Sequence, residues 1–349
     1  MRIGIVSPPW VPVPPTGYGG TEAVIDRLAR GLVAAGHDVL LWCTGDSTCP
    51  VPRGHVVAEA DGEHMGFDAI ELHHVIRGYE ALLEWGAEIV HDHTLIGPVY
   101  SRRFTRLPVV TTNHGPFNAV LSDLYRVIAD DVGVIAISHD QAARTVVPIA
   151  AVIHHGLDVD RFPVGDGTGD AEGPYLAYLG RMAPEKGARR AALAAGRVGA
   201  RLIIAAKMQD RAEHRFFHDE VEPLLDDRIT FIGEIGPDER VALLGGATAL
   251  LNPIAWPEPF GLAMIEALAC GTPVVALRAG SAAELIDDGV TGLLCDDMEQ
   301  LVRRLGEVAH IDRRRCREEA ERRFTTERMV ADHVAVYERI VRERQGSAA

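Results

Sequence analysis

The feature that most limits what this chain can fold into is a recurring unit. A short apolar run is followed by a polar or glycine-rich turn, an amphipathic stretch and a further apolar run. Residues 3–6, 39–43, 89–91, 109–112, 133–137 and 151–153 are predicted strands. Several are continuously apolar instead of alternating, as strands are when helices cover both faces of their sheet. Between the first two, residues 21–35 carry Val24, Leu28 and Leu32 on one stripe, with Thr21 as expected N-cap and Gly36 as stop. Strand, glycine loop, helix and strand form a βαβ unit, whose repetition builds a doubly wound parallel sheet.

The pattern restarts after 165–173 (GDGTGDAEG), a glycine-rich loop without periodicity. Strands are expected at 176–179, 202–206, 229–232, 249–252, 273–276 and 292–294. Helices are expected from about residue 185 and at 238–246, 261–270, 282–287 and 297–308. A charged helical stretch follows 311 and breaks at 324–326. A last helix at 327–344 has Met329, Val336 and Ile340 on its apolar side. A chain of 349 residues exceeds one ordinary domain. The expected division is an N-terminal Rossmann-like domain (1–160), a C-terminal one (161–326) and a closing helix (327–349).

Charge excludes some functions. The net charge is −15 and both halves are acidic, so the basic face of a nucleic-acid binder is missing. No basic amphipathic helix or long apolar run argues for membrane association. Residues 1–7 are too short, ahead of Pro8-Pro9, for a signal peptide. The cysteines, Cys43, Cys49, Cys270, Cys295 and Cys316, are odd in number and lack a CxxC pair, which predicts a reducing, cytoplasmic setting. Only two cations are lysines, Lys186 and Lys207. Where arginine serves nearly everywhere, a compact ammonium invites a chemical reason.

The densest chemical signal is Trp256-Pro257-Glu258-Pro259-Phe260-Gly261-Leu262-Ala263-Met264-Ile265-Glu266, continuing to Pro273. Prolines on both sides hold Glu258 extended. A helix beginning near Gly261 puts free backbone N–H groups at its start, where a diphosphate is attracted, and Glu266 on its second turn. There a carboxylate can accept both hydroxyls of a vicinal diol such as ribose, while Glu258 reaches the group beyond the phosphates. The competing reading is a surface helix with incidental glutamates.

Gly180-Arg181 and Lys186-Gly187 follow the first strand of the second half. Arg181 at the strand end and Lys186 in the first helical turn are expected to meet one diphosphate, although such spacing alone is a weak signal. Gly19 and Gly20, within Pro15–Glu22, let the backbone approach a ligand, but the stretch is not GxGxxG, which argues against a dinucleotide site. His91-Asp92-His93 and Asn113-His114-Gly115 lie at strand ends, where open α/β sheets keep their sites. His91 and His93 lack a third metal ligand. His73-His74 and His154-His155 are expected at the surface or in packing. Asp158-Val159-Asp160 matches a metal-binding D-x-D only in form. No metal and no cofactor are expected.

Taken together, these residues resemble the family-4 retaining glycosyltransferases of the GT-B fold. The likeness runs from Tyr18-Gly19-Gly20-Thr21-Glu22 through the His114 turn, His155-Gly156-Leu157-Asp158, Gly180-Arg181 with Lys186-Gly187, and Glu258 with Glu266, to Cys270-Gly271-Thr272-Pro273. It implies two Rossmann-like domains facing across a cleft, with the last helix crossing back to the first domain. It also implies catalytic or donor-contacting roles for His114, Glu258, Arg181 and Lys186, with the donor nucleotide held by Arg181, Lys186, Phe260, Gly261, Leu262 and Glu266. Gly19 and Gly20 would line the phosphate and acceptor side. The implied partners are a nucleotide sugar, UDP-hexose ahead of GDP-mannose, and a small-molecule acceptor. Ala206-Lys207-Met208 departs from the family where a glycine is common, and Arg278–Glu284 departs from Gly-Gly-Xaa-Pro-Glu. The rival readings are a non-hydrolysing sugar-nucleotide epimerase and a non-catalytic two-lobed sugar-binding protein.

Overall fold

A computed structural model describes residues 1–17 and 19–346. Tyr18, part of the glycine-loop motif, lies outside them. The chain forms two compact units, Met1–Leu157 with Thr326–Ala349, and Asp158–Thr325. The crossings fall slightly ahead of the expected ones. At the return, the Thr326 amide donates to the Leu157 carbonyl at 3.1 Å, tying the two ends of the first unit together.

The first unit is a seven-stranded parallel sheet of β1 (Arg2–Val6), β2 (Asp38–Trp42), β3 (Arg53–Gly54), β4 (Ile89–Asp92), β5 (Val109–Thr112), β6 (Val132–Ala136) and β7 (Ala151–Val152), in the order β3-β2-β1-β4-β5-β6-β7. Its helices are α1 (Gly20–Ala34), α2 (Asp68–Trp85), α3 (Gly97–Tyr100), α4 (Ala119–Ile128) and α5 (His139–Ala143). The strand order reverses between β1 and β4, the point where such sheets open a crevice at their carboxyl ends. Ile3, Ile5, Leu28, Leu32, Leu41 and Leu82 are fully buried, so apolar runs and helix stripes meet in one core.

Some local expectations fail. Thr21 does not cap α1; the helix starts at Gly20 behind Gly19, whose carbonyl accepts the Ala23 amide at 3.1 Å, without a side-chain cap. Strand β3 and helices α2 to α5 have no counterpart among the predicted elements, and the longest of them is α2. Its buried positions, Glu71, His74, Val75, Gly78, Tyr79 and Leu82, recur with helical spacing, but a charge, an imidazole and a glycine break the apolar stripe.

The C-terminal helix, Thr326–Gly346, belongs to this unit and lies on α1. The approach is close: a Cβ on Gly31 would stand 2.5 Å from Val330 Cγ2. The Tyr337 hydroxyl lies 2.6 Å from His91 Nδ1, and Arg328 Nη2 donates to the His154 carbonyl at 2.7 Å.

The second unit repeats the plan with β8 (Leu176–Arg181), β9 (Leu202–Lys207), β10 (Ile229–Gly233), β11 (Ala249–Asn252), β12 (Val274–Leu277) and β13 (Gly292–Cys295). They form a parallel sheet in the order β10-β9-β8-β11-β12-β13. Helices α6 (Ala188–Val198), α7 (Arg211–Phe216), α8 (Pro237–Gly246), α9 (Leu262–Ala269), α10 (Ala282–Leu285), α11 (Met298–Arg304) and α12 (Arg313–Arg323) surround it. Alanines 188, 191, 192, 194 and 195 are buried, letting α6 sit close against the sheet. Arg313 gathers the loops: its guanidinium donates to the carbonyls of Gly165, Ala247, Gly245 and Cys270 at 2.9–3.2 Å. The helix expected from residue 185 begins later. Pro184–Lys186 is a 3-10 turn, and Gly187 at φ +94° separates it from α6, so Lys186 precedes the first α-helical turn.

Candidate functional site

The second unit brings Lys186 and Glu258 together from opposite sides of its switch point. Lys186 follows β8 and Glu258 follows β11, its sheet neighbour. Lys186 Nζ stands 2.5 Å from Glu258 Oε2, with the two side chains only 15% and 14% exposed. The Trp256 ring faces the ammonium at 4.9 Å, a further attraction for a cation. Two residues read from separate motifs therefore form one ion pair.

The Glu258 loop is fixed by backbone. The Glu258 amide donates to Trp256 O at 2.8 Å, and its carbonyl accepts the Ser281 amide at 3.0 Å. Gly280, at φ +56°, makes that contact possible, since a Cβ there would stand 2.3 Å from the Glu258 nitrogen. The loop then enters α9 through Gly261 at φ +92°, a left-handed turn suited to glycine. Phe260 is buried and meets Phe324 edge-on at 6.3 Å, while Leu262 opens the helix.

Glu266 sits on the second turn of α9 and is 2% exposed. Arg240 Nη1 of α8 lies 3.2 Å from its Oε1, and Arg240 Nε is buried without a partner. Arg181, the last residue of β8, is bound through Nε to Glu213 Oε1 at 2.7 Å. Glu213 also accepts the Gln209 amide at 2.7 Å and completes a capping box with Asp210 at the start of α7. Neither Glu213 nor Arg240 was among the residues drawn from sequence. The Asp210-x-x-Glu213 spacing after β9 is a visible capping signal. Arg240 carries none.

In the first unit, the carboxyl ends of β4 and β5 assemble histidines. His93 Nδ1 is 2.9 Å from His114 Nε2, and the His114 ring stacks on His155 at 5.2 Å. Behind His93 lies His91, with ring centroids 4.0 Å apart. His91 is anchored by Thr112 Oγ1 at 2.8 Å and by the Tyr337 hydroxyl. His333, 5.3 Å from His91, closes the chain and bonds Met329 O through Nδ1 at 2.8 Å. Burial holds these imidazoles neutral: His114 is lowered to about 3, with the His333 ring adding to the effect, and His333 to about 4, with the Arg328 guanidinium adding to it. Of the residues expected only in packing or at the surface, His155 joins this chain. His74 is buried, with Nε2 3.0 Å from Ser7 O.

Asp92, between the two strand histidines, accepts Tyr79 Oη at 2.8 Å and the Thr94 amide and hydroxyl at 2.8 and 2.7 Å. Burial pushes its carboxyl up to about 7. Gly19 and Gly20 lie at the start of α1, beyond the end of β1. Asp160, of the D-x-D sequence, is fully exposed in a 3-10 turn. All five cysteines are free and buried. Among the described residues, no helix is long and apolar enough to cross a membrane.

Residues 18–161 match the family model described as Glycosyltransferase Family 4, and residues 167–323 match Glycosyl transferases group 1. A glycogen synthase of Mycobacterium tuberculosis is 30% identical over 84% of this chain and 82% of its own. Among solved structures, sucrose-phosphate synthase from Thermosynechococcus elongatus superposes with a TM-score of 0.82 at 21% identity, covering 97% of this chain and 98% of that one. Anabaena HepE, solved in complex with UDP-glucose, gives 0.73 at 19% identity, over 99% and 100% of the two chains. These neighbours share the GT-B fold.

Proposed function

From the premise that this chain belongs to the family-4 glycosyltransferases, we propose that it moves a hexosyl group, with retention, from a nucleotide sugar to a small-molecule acceptor, without a metal ion. A UDP-hexose is the favoured donor, with GDP-mannose second. The observation that carries this reading is the ion pair of Lys186 with Glu258 beside the start of α9. Lys186 would shift from Glu258 to the diphosphate, releasing the carboxylate to accept hydroxyls of the donor sugar. Arg181 would meet the same diphosphate, and Glu266 would take the ribose diol. In the first unit, His114 would contact the donor sugar near its reacting carbon, and Gly19-Gly20 would line the phosphate and acceptor side.

The bond from the anomeric carbon to phosphate oxygen breaks as the acceptor oxygen attacks from the same face. The departing phosphate oxygen takes the acceptor's hydroxyl proton. Arg181, Lys186 and the N–H groups opening α9 would stabilise charge on the leaving diphosphate, the role a divalent cation fills elsewhere. Five buried free thiols fit a reducing compartment.

Thermal melting against UDP, GDP, ADP and dTDP tests the donor class, because a ligand stabilises the native state according to its occupancy. UDP should raise the melting temperature most, and Glu266→Ala should weaken that binding in a calorimetric titration. Turnover of the corresponding sugar nucleotide should survive excess EDTA. No stabilisation by any of the four, or a loss of turnover reversed by Mg²⁺, would contradict the reading.

A further inference from the structure

His93 and His114 share a 2.9 Å nitrogen–nitrogen contact, and one proton must lie within it. If His114 Nε2 carried that proton, a neutral His93 would carry its own on Nε2. That atom is buried and has no hydrogen-bond partner. Its ring neighbour His91 cannot help, because both His91 nitrogens are engaged, by Tyr337 and Thr112. Among backbone groups an orphaned buried N–H is rarer than an under-satisfied buried carbonyl, and the same preference is taken for the ring nitrogen. The opposite arrangement leaves only a bare lone pair on His93 Nε2. Doubly protonated forms are disfavoured, since burial and adjacent rings push both imidazoles far below their ordinary range. The shared proton therefore belongs to His93 Nδ1, and His114 Nε2 accepts it.

We propose that His93 is a positioning residue that locks His114 in the Nδ1–H tautomer, leaving Nδ1–H as the hydrogen-bond donor His114 offers to the donor sugar. The role rests on the glycosyl-transfer reading above; the tautomer does not. His114 Nδ1 has no protein partner among the described residues, so that donor is available to a ligand. The thread continues through His91 to Tyr337 of the C-terminal helix, which holds the His93 wall from behind.

The test is nitrogen NMR on the full-length protein labelled with ¹⁵N-histidine, with the His114 signals assigned from His114→Gln. Wild type should show His114 protonated at Nδ1. His93→Asn, whose amide can stand where Nδ1 stood and donate, should keep that state. His93→Leu should release His114 toward the Nε2–H form that a free side chain prefers. With an active sugar nucleotide, His93→Leu should lower kcat/KM about tenfold, the order of one lost hydrogen bond, and His93→Asn should restore most of it. A wild-type His114 protonated at Nε2 overturns the proposal outright, whether or not His93→Leu folds. So does an unchanged tautomer in a folded His93→Leu. A tautomer change that leaves turnover intact overturns the link to the donor while sparing glycosyl transfer. If wild type turns over no sugar nucleotide, the functional reading falls while the tautomer measurement stands.

Discussion

Lys186 and Glu258 are the clearest case of single side chains whose roles change with occupancy. In the free protein each neutralises the other at 2.5 Å in a largely enclosed setting. Removing Lys186 would leave Glu258 without its ion-pair partner, which should cost about 1–3 kcal/mol of stability. A donor diphosphate would compete for the same ammonium. Lys186→Ala should therefore lower kcat/KM by roughly 10²–10³, the usual loss for one electrostatic donor. Lys186→Arg should recover only part, because a planar fork cannot occupy a point-charge position against the Trp256 ring. Steady-state kinetics with parallel melts reads both effects. Near wild-type turnover in Lys186→Ala would reduce the lysine to a surface contact.

At the scale of elements, the Glu258 loop depends on a glycine far along the chain. Gly280 and Gly289 both adopt left-handed φ, +56° and +77°, but only Gly280 is crowded by backbone. Gly289→Ala meets no atom within 4 Å and should cost only the conformational penalty, about 1–2 kcal/mol, with turnover intact. Gly280→Ala should add displacement of the Glu258 loop and lower kcat/KM as well as the melting temperature. Equal turnover in the two variants would mean that loop placement does not govern the site. Sequence made the strands at both switch points legible, because a continuous apolar run has few other uses. It also marked Glu258 and Glu266, whose spacing around a glycine-opened helix is distinctive. It could not show Arg240 against Glu266 or His93 against His114, because those contacts join separate βα units and leave no local periodicity. Helix α2 escaped for a related reason: its buried face carries Glu71, whose carboxylate accepts the Leu95 and Ile96 amides at 2.6 and 2.9 Å, where an apolar residue would be expected.

Across the whole molecule, ionisation is unevenly distributed. The first unit buries His74, His91, His93, His155 and His333 and half-buries His114, all with lowered proton affinity, against one raised carboxyl, Asp92. A histidine depressed on folding contributes stability that is present above its ordinary value near 6.5 and lost as pH falls toward its folded value. Asp92 acts in the opposite sense, its contribution fading as pH rises through about 7. Six imidazoles outweigh one carboxyl, each with a slope on the order of 1.4 kcal/mol per pH unit. Calorimetric scans should show the first unit's transition falling steeply between pH 6.5 and 4. His333→Gln should flatten that fall. A transition independent of pH across this range would mean that the histidines are hydrated in solution.

The return of the chain to its first unit sets an order in time. Residues 158–325 are contiguous and can complete their sheet as soon as they leave the ribosome. The first 157 residues emerge earlier, yet α1 remains uncovered at Gly31, and His91 lacks Tyr337, until the C-terminal helix has been made. The half of the protein synthesised first is thus the last to be finished, and a released fragment ending at residue 325 would carry every residue of one unit while the other still lacked its closing piece.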